Sequence, residues 1–256
     1  MIIHSYENGG RADACIEYIR GLKCLEKTEQ LFLLPIPTTR DNKVILGTNI
    51  YIDSLYEVFS ESCLVVGYSL SEGFKRKAID AGCLIHDVGC DEEFLCENAQ
   101  LTAEATLGIL LNSTVCALSD MSIGVVGYGR IGKRLTRLLL YLGASVKVYS
   151  SSDNKRIDLG EWGVATAESA SGADLSDIDV LINTAPAVIF DTTVSGIFPH
   201  SVRVIDLASG NNFPWLSTVE KYPSIPAKMF PATAGRAWGR SIERFMNEKI
   251  HIQGEY

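Results

Sequence analysis

The chain has 256 residues, 46% of them hydrophobic and 21% charged, the balance of a globular protein with one large core or two modest ones. Its net charge of −8 argues against a nucleic-acid partner. There is no apolar run of about 18 residues, and MIIHSYENGGRADA lacks the basic start and apolar stretch of a secretory signal, so no membrane span and a cytoplasmic location are expected.

The first hundred residues alternate helical and extended patterns and hold nearly all of the excess negative charge. RADACIEYIRGL has helical periodicity; no clean strand precedes it before Gly9-Gly10. LFLLPIP reads as a short strand ended by prolines, DSLYEVF as a helical turn or two, and CLVVGY as a buried strand. SEGFKRKAIDAG reads as a helix ending at Gly82, and CLIHDV as another strand. That order predicts a small α/β domain with a mostly parallel sheet. Residues 91–100 are acidic, helical or looped.

Seven cysteines occur with no Cys-x-x-Cys pair, and several sit in apolar runs, where a reduced cysteine acts as a small hydrophobe. His86, Cys90 and Cys96 fit no standard ligand spacing, so no metal is expected.

LTAEATLGILLNSTVCAL, residues 101–118, predicts a linking helix with Thr102 as its N-cap and Leu107, Leu110, Leu111 and Val115 at helical spacing. A second α/β unit begins at Ser122: SIGVVGYG as strand and turn, RIGKRLTRLLLYLG as helix, ASVKVYS as strand. DVLINTAP and VRVIDLAS follow as strands, and TAGRAWGRSIERFMNEKI closes the chain as a helix. The expected division is residues 1–99 with 236–256 as one domain, flavodoxin-like and the substrate side of the molecule, and 100–235 as a Rossmann-type, doubly wound domain.

Gly127-Tyr-Gly129-Arg-Ile-Gly132 is G-x-G-x-x-G, and its place between an apolar strand and a helix makes the signal specific. Gly127 permits a sharp turn, Gly129 lets a diphosphate approach the backbone, and Gly132 lets helix and strand pack closely. The amides of Arg130, Ile131 and Gly132 then face the phosphates with the positive end of the helix dipole behind them. An acid at the end of the next strand would hold the ribose hydroxyls of NAD. This chain has Ser150 there, 23 residues after Gly127, followed by Ser151, Lys155 and Arg156. Hydroxyls that donate to a 2′-phosphate, and cations (Arg130 included) that pair with it, favour NADP over NAD. Asp153 is the competing acid, and a solvated loop the plainer reading of SSSDNKR. Asn183, Thr184, Ala185 and Pro186 end a strand where such sheets hold the nicotinamide or its ribose, and Asp206 at the next strand's tip joins that cofactor-binding set.

These pieces resemble the dipicolinate synthase A family. LPIPTT, DEEFLCENAQLTAEATLGIL, GYGRIGKRLTRLLLYLGASVKV, DIDVLINTAPAVIFDTTV, VIDLASGNNF and PATAG look like that family's blocks in that order. A wider resemblance is to the D-2-hydroxyacid dehydrogenases, with the same two-domain plan. That group places a proton-shuttling histidine in a T-P-H-x-A-G block; the matching stretch here is Phe230–Gly235, with Ala232 in the histidine's place. The resemblance implies oxidation of a partly reduced pyridine dicarboxylate, a small acidic substrate, with hydride passing to NADP. It also implies a flavoprotein-like second subunit, and dimers are common in the architecture.

Two substrate carboxylates would need donors: Thr38 and Thr39 after the prolines, Ser209 and Asn211 after DLA, and Thr233 with Arg236 at the last helix. Glu104 would orient substrate or accept a proton, and with Ser209 and Thr233 it forms the expected catalytic set. The plainer readings are N-caps for Thr102 and Thr233 and a first-turn acid for Glu104. Two rivals stand beside this function: a D-2-hydroxyacid dehydrogenase relative with relocated catalytic groups, and an NADP(H)-binding sensor or scaffold without turnover.

Overall fold

The structure is a computed structural model; it describes residues 1–150, 165–167, 175–187, 201–208 and 212–254. The chain divides into two compact units, Met1–Asn98 with Pro226–Tyr256, and Ala99–Ile225.

The first unit carries a four-stranded parallel sheet, β1 (Ile2–Ser5), β2 (Gln30–Leu33), β3 (Cys63–Gly67) and β4 (Leu84–Asp87), in chain order without reversal. Side chains of a strand alternate between faces, and here both faces are covered. Leu31, Leu33, Leu64 and Val66 pack with Cys15 and Ile19 of α1 (Gly10–Ile19) and with Trp238 and Ile242 of the closing helix. Phe32 and Val65 face the other way, toward Ile45, Leu55 and the Phe74 and Ala78 of α2 (Glu72–Asp80). Two-sided burial explains why CLVVGY reads as one apolar run. Each such side chain, fully buried, contributes roughly 1.5–3 kcal/mol.

Helix α3 (Glu92–Ser113) contains the first division point. Among the described residues the second unit has a six-stranded sheet, every pairing parallel: β5 (Ser122–Val126), β6 (Ser145–Tyr149), β7 (Ala165–Ala167), β8 (Val180–Asn183), β9 (Arg203–Asp206) and β10 (Val219–Lys221), in spatial order β10-β9-β8-β5-β6-β7. Ile123, Val125, Val148, Ile182 and Ile205 build one core with Leu135 and Leu139 of α4 (Arg130–Tyr141). Val126, Tyr149, Leu181 and Val204 build the other. The order reverses at β5, which has β6 on one side and β8 on the other. The chain then enters α5 (Ile225–Met229) and α6 (Pro231–Gly254).

Several expectations change. MIIHS holds a strand, paired with Gln30–Leu33. The long helix begins at Glu92, where Asp91 accepts from the Phe94 amide at 3.0 Å, and not at residue 101. Thr102 therefore lies inside the helix, its carbonyl accepting from the Thr106 hydroxyl at 2.7 Å, and it is not the N-cap. The closing helix starts at Pro231, a residue suited to a first helical position because its missing N–H would go unused there. Thr233 is consequently a first-turn residue and no cap, and residues 226–235 group with the first unit. Cys63 and Cys83 are not separate reduced hydrophobes: parallel pairing of β3 and β4 brings their Cα atoms to 4.9 Å, and the sulfurs are bonded.

A partly buried polar chain fastens α6 to the rest of the first unit. The ring of His86 on β4 stacks on Phe245 and bonds through Nε2 to the Ser241 hydroxyl at 2.8 Å. That hydroxyl donates to Asp91 at 2.5 Å, which also takes Arg244 at 2.7 Å. Because Ser241 spends its proton on Asp91, it accepts from His86, so the ring carries its proton on Nε2. Burial holds His86 down, to a pKa of about 4, against the pull of Asp91 and Asp87. Burial would push Asp91 up, but bonds from Ser241, the Phe94 amide and Arg244 outweigh it and hold the carboxyl below its ordinary value.

Candidate functional site

The carboxyl end of the second unit's sheet is built around the glycine turn. Val126 ends β5, and the Gly127 amide donates to the Tyr149 carbonyl at 2.8 Å, tying the turn to β6. Gly127 has φ 88°, in the left-handed region that favours glycine. A Cβ on Gly132 would lie 2.1 Å from the Gly127 carbonyl oxygen, so helix and turn meet backbone to backbone. Gly129 is the opposite case: a Cβ there would meet nothing within 4 Å. Its backbone is extended and stands at the N-cap of α4, and as glycine it puts no capping side chain there. The N-cap of α4 thus borders space clear of described atoms, with the helix dipole behind it, the arrangement that receives a diphosphate. Arg130 is exposed at the first helical position, and Ile131 is half-buried beside it.

Across the turn lies the end of β8. The Thr184 amide and hydroxyl both donate to the Val126 carbonyl at 2.9 Å, and the hydroxyl is 3.3 Å from that of Gly127. Asn183 is buried and closes a small ring with Ala185: its Nδ2 donates to the Ala185 carbonyl, and its Oδ1 accepts the Ala185 amide, both at 3.1 Å. Pro186 follows, exposed. Asn183 stands opposite Asp206 in the β8–β9 register, and its Nδ2 also donates to Asp206 Oδ1 at 2.8 Å. The Ala208 amide, at 3.1 Å, and Asn212 Nδ2, at 3.4 Å, reach the same oxygen. Asn212 is a residue that sequence reasoning misses, although the GNNF run beside DLAS is the available signal.

Ser150 stands at the tip of β6, buried at 4% exposure. Ser151, Lys155, Arg156, Ser209 and Asn211 lie outside the described residues, as do Ser152, Asp153 and His200. Glu104 is exposed on α3 and accepts from Gln100 Nε2 at 2.9 Å.

In the first unit, Thr38 does not present a free hydroxyl. It is 1% exposed, donates to the Pro35 carbonyl at 3.0 Å and accepts the Tyr68 amide at 2.8 Å, so it braces the loop after β2. Thr39 accepts the Asn42 amide at 3.0 Å and lines, with Asn42, Ser69, Ser71, Ile52 and Leu70, a small recess of mixed polarity with room for about one water. Thr233 and Arg236 are exposed in the first turns of α6, 3.4 Å apart. The loop after β2 and the first residue of α6 each touch the start of α1. A Cβ on Gly10 would lie 3.0 Å from the Pro231 Cβ, and Arg11, held by Glu7 at 2.6 Å, donates to the Ile36 carbonyl at 3.0 Å. Among the described residues, no three His, Cys, Asp or Glu side chains gather as a metal site, and no helix is long and apolar enough to cross a membrane.

No family model matches the chain. It is 28% identical over 169 residues to dipicolinate synthase A of Bacillus subtilis (strain 168), a match that takes in 62% of this chain and 55% of that protein. The chain thus matches about half the length of that curated relative. Among solved structures, dipicolinate synthase A from Bacillus halodurans superposes with a TM-score of 0.75 at 22% identity, covering 96% of both chains. The NAD-complexed D-isomer specific 2-hydroxyacid dehydrogenase of Lactobacillus delbrueckii ssp. bulgaricus superposes at 0.54 with 10% identity, over 98% of this chain and 97% of that one. The resemblance read from the sequence blocks is borne out, and the fold is that of the two-domain, Rossmann-type dehydrogenases.

Proposed function

We propose that the chain is a nicotinamide-dinucleotide oxidoreductase of the dipicolinate synthase A kind, which binds NADP in preference to NAD and acts on a partly reduced cyclic dicarboxylate. The observation that carries the reading is Gly129, where space clear of described atoms faces a helix start whose N-cap has no side chain, between β5 and β6. That space matches what a diphosphate needs, and the unit's strand order reverses at the same place. The dinucleotide supplies hydride acceptance. Amides of α4 hold the diphosphate, the β8 turn braced by Thr184 and Asn183 sets its far half, and Ser150 with Arg130 and the cations at 155 and 156 meet the 2′-phosphate.

The substrate side rests on the resemblance to dipicolinate synthase A. A dihydropyridine dicarboxylate gains aromaticity when it loses a hydride and a proton, so placement matters more than a strong base. That suits a chain with alanine at position 232. Arg236 and Thr233 of the first unit are proposed to hold a carboxylate; Glu104, Ser209 and Asn211 of the second are proposed separately as groups that act on the substrate. The proposed partner is a flavoprotein-like second subunit. Titration of the purified chain with NADPH and NADH, followed by nicotinamide fluorescence, is the direct test. Tighter NADPH binding supports the reading, and equal or tighter NADH binding removes the role given to Ser150.

A further inference from the structure

We propose that Asp206 anchors the nicotinamide half of the bound dinucleotide, through a buried carboxylate oxygen that takes no hydrogen bond among the described residues. The inference rests on the dinucleotide reading above and assigns an atom within it.

The sheet order gives the orientation. With the diphosphate at the turn after β5 and the adenosine ribose at the tip of β6, the remaining half of the molecule extends over the tips of β8 and β9. Asn183 and Asp206 are those tips, opposite one another in register. Asp206 is 1% exposed. Its Oδ1 receives Asn183, the Ala208 amide and Asn212. Its Oδ2 is the oxygen left over.

The Oδ1 bonds need only one acceptor oxygen, which an asparagine of the same shape would also present, though as a weaker acceptor than a carboxylate; the second oxygen is surplus to the fold. Burying an ionisable group with half of its acceptor capacity unused is unfavourable unless something else uses it. Asn183 cannot turn to reach Oδ2, because both ends of its amide are held in the ring with Ala185. What Oδ2 can take is an N–H or O–H donor. The nicotinamide half carries both, as the carboxamide and the ribose hydroxyls. A phosphate would be repelled there, which keeps the diphosphate at the glycine turn.

Asp206→Asn keeps the Oδ1 bonds and puts an amino group where the second oxygen stood. Affinities for NADPH and NADH, and for ADP as a probe lacking the nicotinamide half, are measured on both proteins by calorimetry. The expected result is a dinucleotide affinity at least about tenfold weaker with ADP unchanged. An unchanged dinucleotide affinity, or a parallel loss for ADP, overturns the anchor. Should the variant not fold, the Asp206 carboxyl carbon followed by NMR in the wild-type protein must shift with NADPH or NADH and stay in place with ADP; a carbon that ignores the dinucleotide overturns it equally. A wild-type protein that binds neither dinucleotide defeats the proposed function first, and the anchor with it.

Discussion

Gly132 and Gly127 touch through backbone: the side-chain carbon that Gly132 lacks would sit 2.1 Å from the Gly127 carbonyl oxygen. Gly132→Ala therefore forces α4 away from β5, and overpacking of this kind costs about 1–3 kcal/mol. Chemical denaturation should show that loss with no ligand present. Stability unchanged within about 0.5 kcal/mol would mean that the turn is looser than its geometry indicates.

Arg11 and Glu7 form a two-pronged pair at 2.6 Å with side chains 6% and 12% exposed, and Arg11 also holds the Ile36 carbonyl. Arg11→Met strands a buried carboxylate and should cost about 3–5 kcal/mol. Adding Glu7→Gln removes the stranded charge and should restore much of that loss. Urea midpoints of the two single variants and the double variant test the coupling; strictly additive losses would contradict it.

His86 makes stability depend on pH in one direction. Its folded pKa, about 4, lies below the unfolded value near 6.5, so the unfolded chain binds the proton first. The contribution is fully present above pH 6.5 and is lost as pH falls toward 4, by at most about 3 kcal/mol. Unfolding free energies between pH 7.5 and 4.5 should trace that fall, and His86→Gln should flatten it. A wild-type protein with constant stability over that window would show that the ring stays paired when protonated.

Ser150→Asp puts the ribose-binding acid back at the tip of β6. It should lower NADPH affinity relative to NADH by about tenfold or more, because a carboxylate accepts from ribose hydroxyls and repels a 2′-phosphate. Paired titrations with the two cofactors read the ratio, and an unmoved ratio would place the phosphate elsewhere.

Features carried by short-range spacing are legible in the sequence. The glycine turn, α4 and β6 lie within about thirty residues of one another, and their spacing alone predicts the unit. Features set by register are not. The Thr38 hydroxyl reads as available because its acceptor role is filled from Tyr68, thirty residues on at the next strand's end. The Cys63–Cys83 bond depends on how β3 and β4 align, and the Asn183–Asp206 pair on how β8 and β9 do. β1 escapes notice because MIIHS is only partly covered and shows little apolar alternation. The start of α3 escapes it because acidic first turns mask the apolar stripe, although Asp91 three residues ahead of Phe94 is an ordinary capping arrangement.

Gly129→Val tests the central claim most directly. The backbone there, φ −80° and ψ −160°, suits any residue, and the added side chain meets no atom of the described residues within 4 Å of its Cβ, so the fold should keep its stability. The side chain would occupy the space assigned to the diphosphate. Calorimetric titration should show NADPH and NADH affinity lost by about a hundredfold or more in a protein with an unaltered melting temperature. Undiminished affinity in that folded variant would mean that no diphosphate rests on this turn.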